Sequence, residues 1–366
     1  MLTERRLESL LEVRGLHTYF YTYEGVVKAV NSVSFVLNRG EITGLVGESG
    51  SGKSVTAQSI VRLVKAPGKI VEGEVWLDGQ DLMSCSEHEM QSVRGRMIST
   101  IFQEPRAALN PLFTVGDQIG RVIQLREGCS RKAAEGLAIE VMRAVEIADP
   151  ERRAGAYPHE LSGGMCQRIM VAIALSANPL LLIADEPTTG LDVTVQAQVL
   201  DLIRLRVKSA GSACLFITHD LGVVAELCER VIVMYAGRVV EQGPVAEIFS
   251  NPRHPYTQGL IASTLRVDIN KPISTIPGTV PDAVLLPSGC TFHPRCPFAE
   301  ELCEQEEPSM AAAGMQHRAR CHIVSGRIEG EMREDAWELA VAQAGGTDSF
   351  LQSVQGVPTD PEVGIE

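Results

Sequence analysis

The chain has 366 residues, 45% hydrophobic and 22% charged, which leaves room for one large domain or two modest ones of ordinary globular composition. Its formal net charge of −13 argues against a general nucleic-acid binder, which would be basic. No apolar run approaches the ~18 residues that a membrane span needs, and Met1–Arg6 leads into a mixed segment without a long apolar core, so no signal peptide is expected.

Leu10–Leu37 is rich in β-branched and aromatic residues and predicts an antiparallel β-layer. Arg39-Gly40-Glu41 reads as a turn. Ile42–Val46 reads as a short buried strand, followed by a Gly-rich loop and a helical pattern over Ser54–Val64. Glu74–Gly79 reads as strand and turn, and Arg96–Phe102 as a strand leading into Gln103. Val115–Ala177 is helical in pattern, interrupted by Gly155–Ser162. Strands at Leu180–Ala184, Ala213–Thr218, Val231–Tyr235 and Arg238–Glu241 then alternate with helices at Val193–Val207 and Leu221–Cys228. Alternation of this kind predicts an α/β fold, a parallel sheet covered by helices. Asn251–Pro287 is proline-rich and, by pattern alone, reads as a linker. From Ser325 to Glu366 the net charge is −7, against −6 for everything before it. That tail is expected to be solvated and mobile, apart from a short helix near Ala336–Ala344.

Three segments carry chemistry. Gly47-Glu48-Ser49-Gly50-Ser51-Gly52-Lys53-Ser54 fits G-x-x-x-x-G-K-[S/T] and lies between a strand and a helix. Glycines let the backbone wrap closely enough for successive N–H groups to point at phosphate oxygens. The following helix start adds its positive dipole end, and a Lys and a Ser suit the terminal phosphates and Mg²⁺. Leu180–Glu186 is an apolar strand ending in two carboxylates. A strand buried on both faces delivers its C-terminal end to a ligand crevice, so Asp185 suits a metal and Glu186 a general base. Leu161–Arg168 opens a helix with Ser162 as N-cap and glycines behind it, a second anion site. One chain binds one γ-phosphate at its own loop, so the second site points to a nucleotide held by another subunit.

With these motifs the chain resembles the ATP-binding subunits of ABC transporters. Gly47–Ser54 and Leu181–Glu186 match the two Walker motifs, and Leu161–Gln167 matches the signature sequence. Gln103 matches the Q-loop, Thr189–Asp192 the D-loop and Thr218-His219-Asp220 the switch histidine. The resemblance covers Leu10 to about Ser250. It implies an ABC-type P-loop ATPase fold: a mixed sheet core, an antiparallel β-layer and a helical subdomain at about 104–178. It implies that Gly47–Gly52 (including Glu48, Ser49, Gly50 and Ser51) and Lys53 bind ATP phosphates, and that Ser54, Gln103 and Asp185 surround Mg²⁺. By the same resemblance Glu186 is the base, His219 holds the γ-phosphate, Phe20 stacks on adenine, and Ser162, Gly163, Gly164, Gln167 and Asp192 serve the nucleotide interface.

The second half narrows the branch. Asn251–Thr257 with Leu260, Ile276-Pro277-Gly278 and Gly289–Pro297 resemble the extension of oligopeptide, dipeptide and nickel transporters. This makes Asn251–Pro287 a docking extension instead of a linker. It implies a second, non-identical ATPase subunit, two membrane permease subunits and an external solute-binding protein, with this chain peripheral on the cytoplasmic face of the membrane and no nucleic-acid partner. The domains expected are 1–250 for the ATPase, 251–324 for a small Cys-rich C-terminal extension and 325–366 for the tail.

Nine cysteines divide by position. Cys85, Cys129, Cys166, Cys214 and Cys228 are scattered and read as packing residues. Cys290, Cys296, Cys303 and Cys321 fall within 32 residues as C-x5-C-x6-C-x17-C. Four thiolates can hold a [4Fe–4S] cluster or Zn²⁺, or remain free or disulfide-bonded. The spacing lacks the C-x2-C pairs of zinc ribbons, and the branch resemblance implies [4Fe–4S]. His293, His317 and His322 lie nearby and read as bystanders.

The resemblance implies a peptide importer, with nickel, glutathione or opine-like solutes as alternatives in the same branch. Outside transport, a soluble ABC ATPase of DNA repair would need long coiled coils, for which the 132 residues from Lys53 to Asp185 leave no room. A ribosomal member would carry two phosphate loops, and this sequence carries one. An ATPase of iron–sulfur assembly would have labile cysteines and few membrane partners.

Overall fold

In the computed structural model, residues 9–263 and 276–329 are described. The expected tail helix and most of the acidic tail lie outside them. β1 (Ser9–Thr22) and β2 (Gly25–Asn38) form a long antiparallel hairpin. β3 (Ile42–Val46) then enters a second sheet with all five residues buried, as the apolar sequence requires of a strand covered on both faces. α1 (Lys53–Ile60) follows the Gly-rich loop. β4 (Gly68–Leu77) and β5 (Gln80–Asp81) complete the first sheet in the order β2-β1-β4-β5.

α2 (Glu87–Val93), held at its start by a Ser86–Glu89 capping box, leads to β6 (Ile98–Ile101). The helical region comprises α3 (Pro105–Ala108), α4 (Val115–Glu127), α5 (Arg131–Ala144), α6 (Pro150–Arg153) and α7 (Gly163–Ser176). The interruption expected over Gly155–Ser162 holds only a 3-10 turn at Pro158–Glu160. β7 (Leu181–Asp185), α8 (Val193–Ala210), β8 (Ala213–Ile217), α9 (Leu221–Leu227), β9 (Arg230–Tyr235) and β10 (Arg238–Pro244) then alternate. β6, β7, β8, β3 and β9 are parallel neighbours, while β10 pairs antiparallel with β9.

α10 (Val245–Ser250) and α11 (Pro255–Ala262) follow, then α12 (Glu301–Gln305), β11 (Met310–Ala312) and β12 (Arg318–Arg320). β12 pairs with β10, so the C-terminal residues extend the main sheet, whose order is β11-β12-β10-β9-β3-β8-β7-β6. That sheet is mixed, and not the purely parallel one that alternation alone would give. One apolar cluster joins the antiparallel layer to the main sheet, Leu11, Val33 and Phe35 meeting Leu45, Ile183 and Leu215. The opposite face is covered by the helices, through Ile169, Val171, Ile203 and Val224. Burial of this kind, at about 25 cal/mol per Å² of apolar surface, is the main favourable term of the fold.

Two local readings change. The helix expected over Ser54–Val64 stops at Ile60, and Arg62 adopts a left-handed φ of 53° that cannot continue it. The linker reading of Asn251–Pro287 fails at α11: Pro255 occupies the first helical turn, where its missing N–H costs nothing, and Tyr256 is fully buried.

Candidate functional site

β3, β8 and β7 lie side by side and parallel, so their C-terminal ends open at one edge. Gly47–Gly52 leaves β3 there, Asp185 ends β7, and Thr218–Asp220 follows β8. The loop is tight. Gly52 caps α1 at φ 101°, and a Cβ on it would come within 2.3 Å of the Ala29 carbonyl. A Cβ on Gly47 would come within 2.2 Å of the Met234 carbonyl. Only glycine fits either place.

Lys53 is buried, and its Nζ donates to the carbonyls of Gly47 at 2.8 Å and Glu48 at 2.9 Å. Burial lowers its pKa, while Glu186, Asp185 and Glu48 nearby raise it. Ser54 Oγ donates to Asp185 Oδ1 at 3.1 Å. Burial raises the Asp185 pKa, opposed by the Ser54 hydrogen bond. A hydroxyl and a carboxylate meeting beside an ammonium group suit a hydrated divalent cation and a polyphosphate.

Glu186 is the centre of a small network. Thr189 Oγ1 donates to its Oε2 at 3.1 Å and Gln103 Nε2 at 3.4 Å. His219 Nδ1 lies 3.2 Å from its Oε1. The Glu186 main chain is left-handed at φ 49°, a rare conformation for a residue with a side chain. Its N–H donates to the Ile217 carbonyl at 2.9 Å, which ties it to the end of β8. The structure thus gathers the expected Lys53, Ser54, Gln103, Asp185, Glu186 and His219 at one edge. Thr189 joins them from within the expected D-loop segment, although pattern reading gave its hydroxyl no role.

Ser162 caps α7, its Oγ accepting from Met165 N at 3.3 Å, and Ser162 and Gly163 are exposed. Asp192 caps α8 and accepts from Val195 N at 3.0 Å. Gln167 is 2% exposed, and its amide donates to the Pro187 carbonyl at 2.8 Å, which ties the first turn of α7 to the loop after β7. Phe20 is half-buried and lies over Gly68, where an added Cβ would come within 2.7 Å of its ring. Tyr21 is exposed, with Lys69 over its ring.

Cys290, Cys296, Cys303 and Cys321 line one small cavity together with His254 and Phe292. None of them is in a disulfide. The Cys290 N–H donates to the Cys303 carbonyl at 2.8 Å. Burial pushes the Cys290 thiol up to about 11, and the neighbouring Cys321 and Cys303 push it the same way. Burial likewise raises Cys296 and Cys321. Yet no three His, Cys, Asp or Glu side chains among the described residues are grouped to hold one metal ion. Of the remaining cysteines, Cys166, Cys214 and Cys228 are buried, as packing residues should be. His317 is a buried partner of Glu241, 2.6 Å from its Oε1. A separate cavity of about 330 Å³ lies between α4, α5, α7 and α8, and no motif residue lines it.

Residues 30–189 match the ABC transporter family, and residues 240–303 match the oligopeptide/dipeptide transporter C-terminal region. The chain is 50% identical over 327 residues to a peptide import ATP-binding protein of Brucella melitensis, covering 86% of this chain and 97% of that one. It is 49% identical over 322 residues to the oligopeptide transport ATP-binding protein OppD of Bacillus subtilis, covering 87% and 90%. Among solved structures, it is similar to the dimeric ATP-binding cassette MJ0796 in a post-hydrolysis state with ADP and Pi. That likeness has a TM-score of 0.60 and 27% identity, over 64% of this chain and 99% of the other. The chain belongs to the ATP-binding subunits of ABC transporters, and it is an ATPase of that family. Within the family it carries the oligopeptide/dipeptide C-terminal region.

Proposed function

We propose that this chain hydrolyses ATP to energise import of peptides, and that the network on Glu186 is its catalytic centre. The observation that carries the reading is the meeting of Gln103, Thr189 and His219 on Glu186, beside Lys53 and the Ser54–Asp185 pair. The N–H groups of Gly47–Gly52 bind phosphates, and Lys53 exchanges its loop carbonyls for the terminal phosphates. Ser54, Asp185 and Gln103 hold Mg²⁺, which supplies charge neutralisation on the phosphates. Glu186 accepts the proton of the attacking water as the new P–O bond forms and the bond to the β-phosphate oxygen breaks. His219, bonded to the same carboxylate, holds the γ-phosphate side. Phe20 stacks on adenine. Ser162, Gly163, Gly164 and Asp192 face a nucleotide on a second, non-identical ATPase subunit.

Residues 1–250 act as the nucleotide-binding domain, with the helical subdomain at about 104–178, and 251–324 as the extension. Two membrane permeases and an external binding protein complete the assembly, with this chain on the cytoplasmic face. The names of the peptide-import relatives support that setting. No helix among the described residues is long and apolar enough to cross a membrane.

Cys290, Cys296, Cys303 and Cys321, which line one cavity, would hold a [4Fe–4S] cluster, and the cluster would supply a covalent clip for the extension. Each thiolate of such a cluster binds its own iron, so the four need to face one cavity and not one ion. Zinc would need all of its ligands within about 2.3 Å of a single ion, and the described residues offer no such group.

The test of the ATPase reading is Glu186→Gln in the assembled transporter. ATP binding should persist, while kcat should fall by about 10²–10⁴-fold, the usual effect of removing a general base. Turnover within about threefold of wild type would remove Glu186 from that role.

A further inference from the structure

Arg295 closes a 3-10 turn, His293–Arg295, directly before Cys296. Its side chain is only 6% exposed. Nε donates to the Pro277 carbonyl at 2.9 Å and Nη2 to that of Ile276 at 3.4 Å. Nη1 donates to Glu48 Oε2 at 3.0 Å and to the Tyr235 hydroxyl at 3.4 Å. Glu48 is the second residue of the Gly-rich loop. A second link reaches the same residue: the Glu48 N–H donates to the Tyr256 hydroxyl at 2.8 Å. Tyr256 is fully buried on α11. The rings of Tyr235, Tyr256 and Phe292 pack on one another, with centroids 4.7, 5.1 and 5.5 Å apart. Phe292 also lines the four-thiol cavity.

Glu48 is therefore gripped from outside the ATPase motifs, at its side chain by Arg295 and at its main chain by Tyr256. Its carbonyl accepts from Lys53 Nζ on the other side. This grip has two physical consequences. A loop rich in glycine has much freedom to lose on binding, and anchoring it beforehand reduces that loss. An unpaired carboxylate at Glu48 would also repel phosphates, and the buried guanidinium neutralises it where solvent screens little.

We infer that Arg295 is a positioning residue for nucleotide binding and that the extension braces the phosphate loop through Arg295 and Tyr256. The inference rests on Gly47–Ser54 being that loop. It does not depend on what the four thiols hold.

The experiment measures ATP affinity of the full chain by calorimetry, with thermal melting alongside. Arg295→Met keeps an unbranched apolar stem and removes the donors, together with the guanidinium that lies 5.8 Å over the Tyr235 ring. It should weaken ATP binding about tenfold, the worth of one hydrogen bond to a charged group. Arg295→Lys, which returns the charge without the fork, should bind at a level between the two. Tyr256→Phe, which removes only the acceptor of the Glu48 N–H, should weaken binding about threefold. Arg295→Met and Tyr256→Phe both within twofold of wild type would overturn the inference. So would Arg295→Lys no better than Arg295→Met, since the loss would then follow from general damage. If Arg295→Met fails to fold, Tyr256→Phe decides alone by the same twofold limit. A wild-type chain that binds no ATP, or a Lys53→Ala chain that binds it undiminished, overturns the reading of the loop instead.

Discussion

The phosphate loop and the four-thiol segment touch at Glu48 and Arg295, yet they are built by opposite means. The loop grows from β3, all of whose residues are buried and which has parallel neighbours on both sides. Asp185 and His219 stand at the ends of the next two strands, so backbone ladders hold the site before any ligand arrives. One thiol sits on a five-residue helix and the others on loops, beside a three-residue 3-10 turn and two strands of three residues each. Elements that short bury little and are not stable alone. The difference teaches that the first site should lose chemistry but keep its shape when a side chain is removed, while the second should lose its shape.

The largest effect should come from Cys296→Ser. Chain purified without oxygen should carry about four iron and four sulfide when wild type, and the variant should lose most of both. The extension should then melt earlier than the ATPase core, because removing a metal clip from a loop-rich segment usually unfolds it. ATP binding should weaken by no more than the effect of the Arg295 link. Wild-type chain with neither iron nor zinc would erase the contrast, leaving four ordinary thiols in a cavity.

Lys53→Ala should act oppositely. One charged donor to phosphate disappears, which costs about 1.5–3 kcal/mol, or roughly 10–150-fold in ATP affinity. The melting temperature should move little, because β3 and its parallel neighbours hold the loop from the backbone. A variant that unfolds instead would show that the loop depends on Lys53 for its form, and the contrast would fail on its first half.

Much of the first site was legible in sequence because it is local. Strand, eight-residue loop and helix are contiguous, and Asp185 and Glu186 end a five-residue apolar run. Tertiary contact was not legible. Arg295 lies 247 residues from Glu48, and Tyr256 lies 208 residues from it, with no periodicity to connect them. The aromatic character of Tyr235, Tyr256 and Phe292 was the one available signal, and it does not name partners. Asn251–Pro287 misleads for a different reason. Proline is read as a breaker, but at the first turn of α11 it starts a helix. β11 and β12 are too short to show alternation. The Gln167 contact with the Pro187 carbonyl was not legible either, since helix register at the first turn decides which side chains face the chain itself.

The smallest expected effect separates the two regions by acid. His254 is buried in the wall of the thiol cavity. Its Nδ1 accepts from the Tyr256 N–H at 3.0 Å, which requires that nitrogen to be unprotonated. Burial, and then the charge of Arg320, lower its pKa from 6.5 to about 3. Its titratable neighbours include Glu241, which accepts from the His254 N–H at 3.0 Å, His317 on the same carboxylate, and the four thiols, His293 and His322 that line the cavity with it. The unfolded chain takes up a proton near pH 6.5 and the folded chain only near 3. Between those values the unfolded state binds more protons, so this contribution to stability is complete above pH 6.5 and is lost as the pH falls. From pH 7 to pH 5 the loss should approach about 2 kcal/mol. His254→Asn keeps an acceptor for Tyr256 N–H but does not titrate. Denaturant unfolding of both chains across that range should give curves that converge as the pH drops, the wild type losing more. The nucleotide edge meets this acid-sensitive region only through Tyr256 and Arg295, so its ATP affinity should fall over the same interval by no more than the loss of those two links. Parallel unfolding curves for the two chains would mean that His254 is protonated alike in both states, and acid would then not distinguish the two regions.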